Sequence, residues 1–401
     1  MKKNYVRDNF EISYQQNNDS NAIDNMLEFL KERSNNSAWL DVEIGDTSFD
    51  VIPNGPLFLN VIKEDYKLKV SDLAIEDTQS GDGISETGGS QFVLRAKSRN
   101  ENYLLSDTAL NGVGYSFIGA ITNFKKLDKA LQKEALDIFS NASPGKILRM
   151  LVSGEKIRAV QSHRYAPLDQ YVLFKNLIGV LSDKVERKNL YMTYGSYSHN
   201  STNAVILINN SELLNKYLET YNDSNILKEN ETVIPYVYFN TADVGTASAK
   251  VSAGFKINDD EIELGDLISV DHLAGNSTET FSNELEGLFA AYDDLSEKLM
   301  ALIETKIKNP LSTLKNFMKS AGFNDEIITS SLEEFLQLIP KNKDGKAICT
   351  ANDIFIYAHR VASKKNQEGK ITDKSLVKIR ENITRGLSKR SWVEHDRPSD
   401  Q

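Results

Sequence analysis

Near residue 275 the hydrophobic pattern of the chain changes period. Before that point the apolar residues alternate, above all in "TVIPYVYFNTADVGTASAKVSAGFKI" (232–257), with Gly245 as a break. After it they recur every three or four residues, in "NELEGLFAAYDDLSEKLMALIETKIKN", "LSTLKNFMKSAG" and "SSLEEFLQLIP". A period of two places alternate side chains on one face of a strand, whereas a period near 3.6 draws a stripe along a helix. Strands followed by helices, rather than alternating with them, predict the α+β class. The expected architecture is a mixed or antiparallel sheet core with packed helices and a mostly helical C-terminal third. The expected segments are 1–40 (leader and helix), 41–275 (α+β core), 276–365 (helical region) and 366–401 (charged tail), with the last 25 residues expected to be frayed.

Within that frame, "NAIDNMLEFLKERS" predicts a helix after a loose leader, with Met26, Leu27, Phe29 and Leu30 on one face. "WLDVEIG", "TSFDVI" and "SQFVLRAK" predict strands, and "EDTQSGDGISETGGS" (76–90) a surface loop. From Tyr103 the pattern predicts helix, with a break near Gly112 and Gly114, then a second helix over "LDKALQKEALDIFSNA" that stops near Gly145. Two strands flank "VSGEK", and "LDQYVLFKNLIGVLSDKV" is helical. Leu190–Tyr197 and Asn203–Leu207 alternate like strands. "TANDIFIYAHRVASKK" predicts a helix that Thr350 or Asn352 caps, with Asp353 in its first turn.

Composition excludes several classes. The 401 residues carry a net charge of −10, which is not the balance of a dedicated duplex-DNA binder. A single cysteine, Cys349, allows no intrachain disulfide and fits a reducing cytoplasm. No run reaches the roughly 18 apolar residues of a membrane span, and "MKKNYVRDNF" is not followed by the apolar core of a secretory signal. The five histidines pair with nothing at ligand spacing, so no metal site is expected. There is no Gly-x-Ser-x-Gly elbow and no Gly-Lys-Ser/Thr phosphate loop, and Ser162-His163 adjacency is not a dyad. No catalytic residue and no cofactor are expected.

The remaining signal is local charge around "SHRYAPLDQY" (162–171). Residues 146–191 hold nine cations and four anions, net +5, with Tyr165, Tyr171, Tyr191, Tyr194 and Tyr197 interleaved. Cations follow phosphates and rings stack on bases, so Arg149, Lys156, Arg158, Arg164 and Tyr165 are the candidate contacts to a single strand of nucleic acid. Strand alternation would put Lys156 and Arg158 on one face. Pro167 would set a bend, Leu168 would pack as a plug, and Asp169 would cap the helix that starts at Gln170. A second basic run, from Arg360 to Gln401, is also net +5. The negative charge lies in the leader, in 76–90 and in 258–304.

These residues carry a resemblance. "IRAVQSHRYAPLDQYVLFKNL" resembles the signature of the phage/plasmid-like domain-of-unknown-function family 932, through Arg158, Ala159, Ser162, Arg164, Tyr165 and Asp169. "YFNTADVGTASAKVSAGF" resembles a second block of that family through Asn240, Val244 and Gly245, although Thr241-Ala242-Asp243 departs from the usual Ser-Glu. "CTANDIFIYAHRVASK" resembles its C-terminal helix. The resemblance implies carriage on a mobile element in a bacterial host cell and no particular reaction.

The first functional expectation is a non-enzymatic protein that binds single-stranded nucleic acid in recombination or replication, as an annealing-like homo-oligomer. The second is a protein-binding inhibitor of a host defence enzyme, acting through the acidic surfaces. A hydrolase or nuclease with an unrecognised site is the third.

Overall fold

The computed structural model of the chain describes residues 10–12, 21–53, 90–96, 101–118, 124, 126–153, 156–198, 201–209, 233–245, 247–257, 260–339, 341, 348–388, 392 and 395–396. Of the expected 76–90 loop, residues 76–89 lie outside the described residues and Ser90 starts a strand. No described helix is long and apolar enough to cross a membrane. The fold is α+β, with a mixed sheet, an antiparallel sheet and most of the helices toward the C-terminus.

The N-terminal sheet comprises β2 (Ser37–Glu43), β3 (Thr47–Pro53), β4 (Ser90–Ala96), β5 (Glu101–Leu105), β6 (Ile147–Ser153) and β7 (Lys156–Ser162), in the order β2-β6-β7-β5-β4-β3. Its one parallel pairing joins β5 to β7. α2 (Asp107–Ile118) and α3 (Lys129–Ala142) pack on it around Phe49, Phe92, Val113, Leu136 and Val160. α2 runs unbroken through Gly112 and Gly114. The glycines serve approach rather than interruption: a Cβ on Gly112 would lie 2.1 Å from the Val160 carbonyl oxygen. Tyr103–Leu105, expected as helix, is strand β5. Pairing with β4 and β7 outweighs local preference there, and Ser106 then starts α2 by accepting from Ala109 N at 3.1 Å.

The central sheet runs β1-β8-β9-β10-β11-β12, all antiparallel. Its strands are β1 (Phe10–Ile12), β8 (Leu190–Ser198), β9 (Ser201–Ile208), β10 (Val233–Thr241), β11 (Ala249–Ile257) and β12 (Asp260–Val270). The leader therefore supplies an edge strand, Phe10 facing Tyr197. One sheet face is covered by α1 (Ala22–Asn35), α4 (Gln170–Lys184), α5 (Thr278–Leu285) and α6 (Leu288–Glu304). α7 (Pro310–Ala321), α8 (Asp325–Leu338), α9 (Ala351–Gln367) and α10 (Asp373–Thr384) extend the same core. Phe239 and Phe255 of the sheet share it with Phe281, Leu299 and Phe355, so no boundary falls at 275. The chain starts in this unit, crosses to the N-terminal sheet and returns through residues 163–169.

The described residues near the C-terminus are packed on the core. Trp392 is fully buried against Phe317, and its Nε1 donates to Gly386 O at 2.6 Å. The Asp396 carboxylate accepts from the Lys308 and Asn309 amides at 3.0 and 2.9 Å and so holds the residues that lead into α7.

Candidate functional site

The returning segment is a joint between the two units. Asp169 caps α4, its Oδ1 accepting from Val172 N at 3.0 Å while Ser34 of α1 donates to its other oxygen. Leu168 is buried in the main core and Pro167 is half-buried beside it. Ser162 ends β7, and its carbonyl accepts from Tyr165 N at 3.0 Å. Ala166 N donates to His272 O at 3.2 Å, and the His272 Nδ1 pairs with Ala166 O at 3.1 Å.

Tyr165 fills the joint. Its ring stacks on His272, with centroids 4.8 Å apart and planes 4° apart, and lies 5.0 Å from Trp39. Its hydroxyl donates to Asp243 O at 3.1 Å. Burial raises the Tyr165 phenol well above its ordinary value and lowers the His272 imidazole, the latter against hydrogen bonds to the Ala166 and Ala247 backbone. The turn after β10 meets this corner: Gln161 Nε2 donates to Val244 O at 2.6 Å. Gly245 has φ +77°, and a Cβ there would come within 2.8 Å of Gln161 and 3.0 Å of Tyr165. Gly245 thus closes the turn against the corner. Asn240 stands further back on the sheet face, bonded to Asn203 Oδ1 at 2.6 Å.

The candidate contacts therefore do not form one accessible face. Tyr165 is 6% exposed and cannot stack on a base in this conformation. Arg149 grips Asp41 with Nε and Nη2, each at 2.8 Å, and its Nη1 donates to Tyr165 O at 2.7 Å. That pair holds the Asp41 carboxyl below its usual range. Arg158 is the extra residue of a β-bulge, since Leu151 pairs with Ala159 and Val152 with Ile157. The bulge breaks the alternation that would have aligned Arg158 with Lys156. Arg158 is 5% exposed, its guanidinium 5.6 Å from the centre of the Tyr197 ring. Lys156 is half-buried, opposite Ser153 at the far end of the hairpin from Arg149. Arg164 alone of the five is exposed.

Several described cations of the second basic run are also paired with carboxylates of the fold. Arg360 pairs with Asp260 at 2.9 Å, Lys364 with Glu334 at 3.0 Å, Lys365 with Glu368 at 3.0 Å and Arg380 with Glu261 at 3.5 Å. By contrast, all seven carboxylates over 279–304 are exposed: Glu279, Glu284, Glu286, Asp293, Asp294, Glu297 and Glu304. Lys298 is the one cation among them, paired with Asp294 at 2.6 Å.

The opposite face of the central sheet is polar. One cross-strand row reads Ser196, Asn203, Asn240, Lys250, Ser269; the next reads Tyr194, Val205, Tyr238, Ser252, Asp266. Asn203 organises the first row, accepting from Tyr238 OH at 2.6 Å and donating to Ser201 at 3.2 Å. Lys250 and Ser252 both bind Asp266, at 2.8 and 2.7 Å. Burial pushes the Tyr238 phenol up to about 12.

Among the described residues, no group of three or more His, Cys, Asp or Glu is placed to hold a metal ion. The Cys349 thiol is buried, which raises its pKa and quenches its nucleophilicity. Sequence reasoning missed His272, Asp243 and Gln161 as joint residues. Nothing local marks them, because β10, β12 and β7 bring them together from three places in the chain. No family model matches the chain, and neither does any curated protein or solved structure. The resemblance to family 932 rests on the residues quoted above alone.

Proposed function

We propose that the chain is a non-enzymatic, protein-binding effector that meets a basic partner through the acidic outer faces of α5 and α6. The observation that carries this reading is the asymmetry of charge. Among the described residues, Arg149, Arg158, Arg360 and Arg380 are buried or paired within the fold, whereas the seven carboxylates of 279–304 face solvent. Such a face presents to a cationic groove the field that nucleic acid would present. The mobile-element carriage implied by family 932 makes a host defence enzyme the partner class. Homo-oligomer formation belongs to the same proposal and is read by light scattering.

The test is capture from nuclease-treated host lysate. The bait is the full chain or its Glu284→Lys, Glu286→Lys, Asp293→Lys, Glu297→Lys variant. A protein retained by the first and lost with the second supports the reading. Identical capture by both overturns it.

Single-strand binding in recombination or replication is the second reading, and one observation favours it. Tyr191, Tyr194 and Tyr238 lie partly exposed in a group on the polar face of the central sheet, where rings could stack on bases. Two cations on that face, Lys250 and Arg380, are paired with Asp266 and Glu261, which is why this reading stands second.

A further inference from the structure

Beside the acidic face lies an open cleft of about 790 Å³ between β12, α6 and residues 384–388. Leu264, Leu267, Leu295 and Leu387 give it an apolar strip, and Asp266, Thr384 and Ser388 add polar groups to the lining. Ala291 and Ala301 of α6 also line it, ten residues apart, so the cleft follows the helix for about 15 Å. Small residues keep it open. Ala291 and Ala301 carry only methyl groups, and Gly265 has φ +104° with Thr384 so near that a Cβ would sit 2.9 Å from its methyl carbon. Asp294 and Glu297 form the α6 rim, and Asp293 and Glu304 continue the same exposed acidic face. Lys298 and Arg385 are the cations at the margin.

An apolar trough beside a carboxylate ridge fits a segment with apolar side chains along one side and cations along the other. Its length matches roughly ten residues of helix. We propose that this cleft is the docking groove for a short amphipathic, basic segment of the partner protein. This rests on the reading that α5 and α6 meet a basic partner, and it adds where the partner inserts and what chemistry it brings.

The experiment titrates the full chain with three synthetic peptides by fluorescence anisotropy. One is a Leu/Lys amphipathic peptide, the second a Gly/Lys peptide of equal charge and length, the third a neutral Leu/Gln peptide. Ala291→Trp and Ala301→Trp each fill the cleft. Asp293→Lys with Glu297→Lys reverses the ridge. The proposal expects the Leu/Lys peptide to bind at least about tenfold tighter than either control, a difference of about 1.4 kcal/mol. It expects that preference to vanish in each cleft-filling variant and in the ridge variant. Hydrogen exchange on the wild-type chain gives an independent readout: the Leu/Lys peptide must protect 291–301 and 384–388. Equal binding of both cationic peptides, unaffected by either Trp substitution, overturns the groove and leaves the acidic-face reading standing. Binding of the neutral peptide as tight as that of the Leu/Lys peptide also overturns the groove. Absence of binding by both cationic peptides overturns groove and reading together.

Discussion

The Tyr165 ring lies flat on His272, 4.8 Å between centroids and 4° between planes, at the point where the N-terminal sheet hands the chain to the central sheet. That stack explains the density of polar chemistry in "SHRYAPLDQY". Tyr165, Ala166 and Asp169 each make a bond that fixes one unit on the other or starts α4. Tyr165→Ala removes a buried aromatic ring and is expected to cost about 3–5 kcal/mol in urea denaturation. Tyr165→Phe loses only the bond to Asp243 O and is expected to cost about 1 kcal/mol. Equal losses in the two variants would show that the ring does not hold the joint.

Gly245→Ala strains the same joint from the other side. The residue has φ +77° and its Cβ would press on Gln161 and Tyr165. The expected loss is about 1–3 kcal/mol. Paired with Tyr165→Ala, the loss from Gly245→Ala is expected to shrink, because the cavity takes up the added methyl group. Strict additivity in that double-mutant cycle would contradict the contact.

His359 supplies a pH dependence. It is fully buried in α9, and burial, reinforced by the Arg380 charge, holds its imidazole down at about 3. Its unfolded value is about 6.5. The unfolded state therefore binds the extra proton between these limits, and the stability given by neutral His359 is lost as pH falls. His359→Leu is expected to gain on the wild type by about 1.4 kcal/mol for each pH unit below about 6.5. A gain that does not change with pH would show His359 titrating normally.

Asp353 runs the other way. Burial pushes its carboxyl up to about 6, against hydrogen bonds from Thr350. Here the folded state holds the proton longer, so stability is present at low pH and falls as pH rises from about 4 to about 6. Asn can still accept from Thr350 N. Asp353→Asn is therefore expected to gain on the wild type across that window and hold its gain above it. Chemical denaturation at several pH values separates the two groups. A loss growing with pH would contradict the assignment.

Sequence pattern made much of the fold legible. The change of period near 275 separates strands from helices, and the Pro167-Leu168-Asp169 spacing marks the start of α4. Strand β12 was hidden because Glu261, Glu263 and Asp266 line its outer face and its run looks like an acidic loop. The packing of Trp392 and Asp396 was hidden because each is a single anchor amid charged neighbours. The site was less legible still. The count of cations over 146–191 is correct, but charge counted along a chain does not say which partner each side chain finds. Asp41 meets Arg149 across a strand pair, and the bulge at Arg158 turns that guanidinium toward Tyr197.

The central claim is that the cations around this corner build the joint and leave the acidic helices to meet a partner. Titration of the wild-type chain with a single-stranded oligonucleotide at about 50 mM and about 200 mM salt tests it most directly. The account predicts no saturable binding at either concentration and no change with Arg164→Ala. Tight binding that falls steeply with salt and is lost on Arg164→Ala would contradict it.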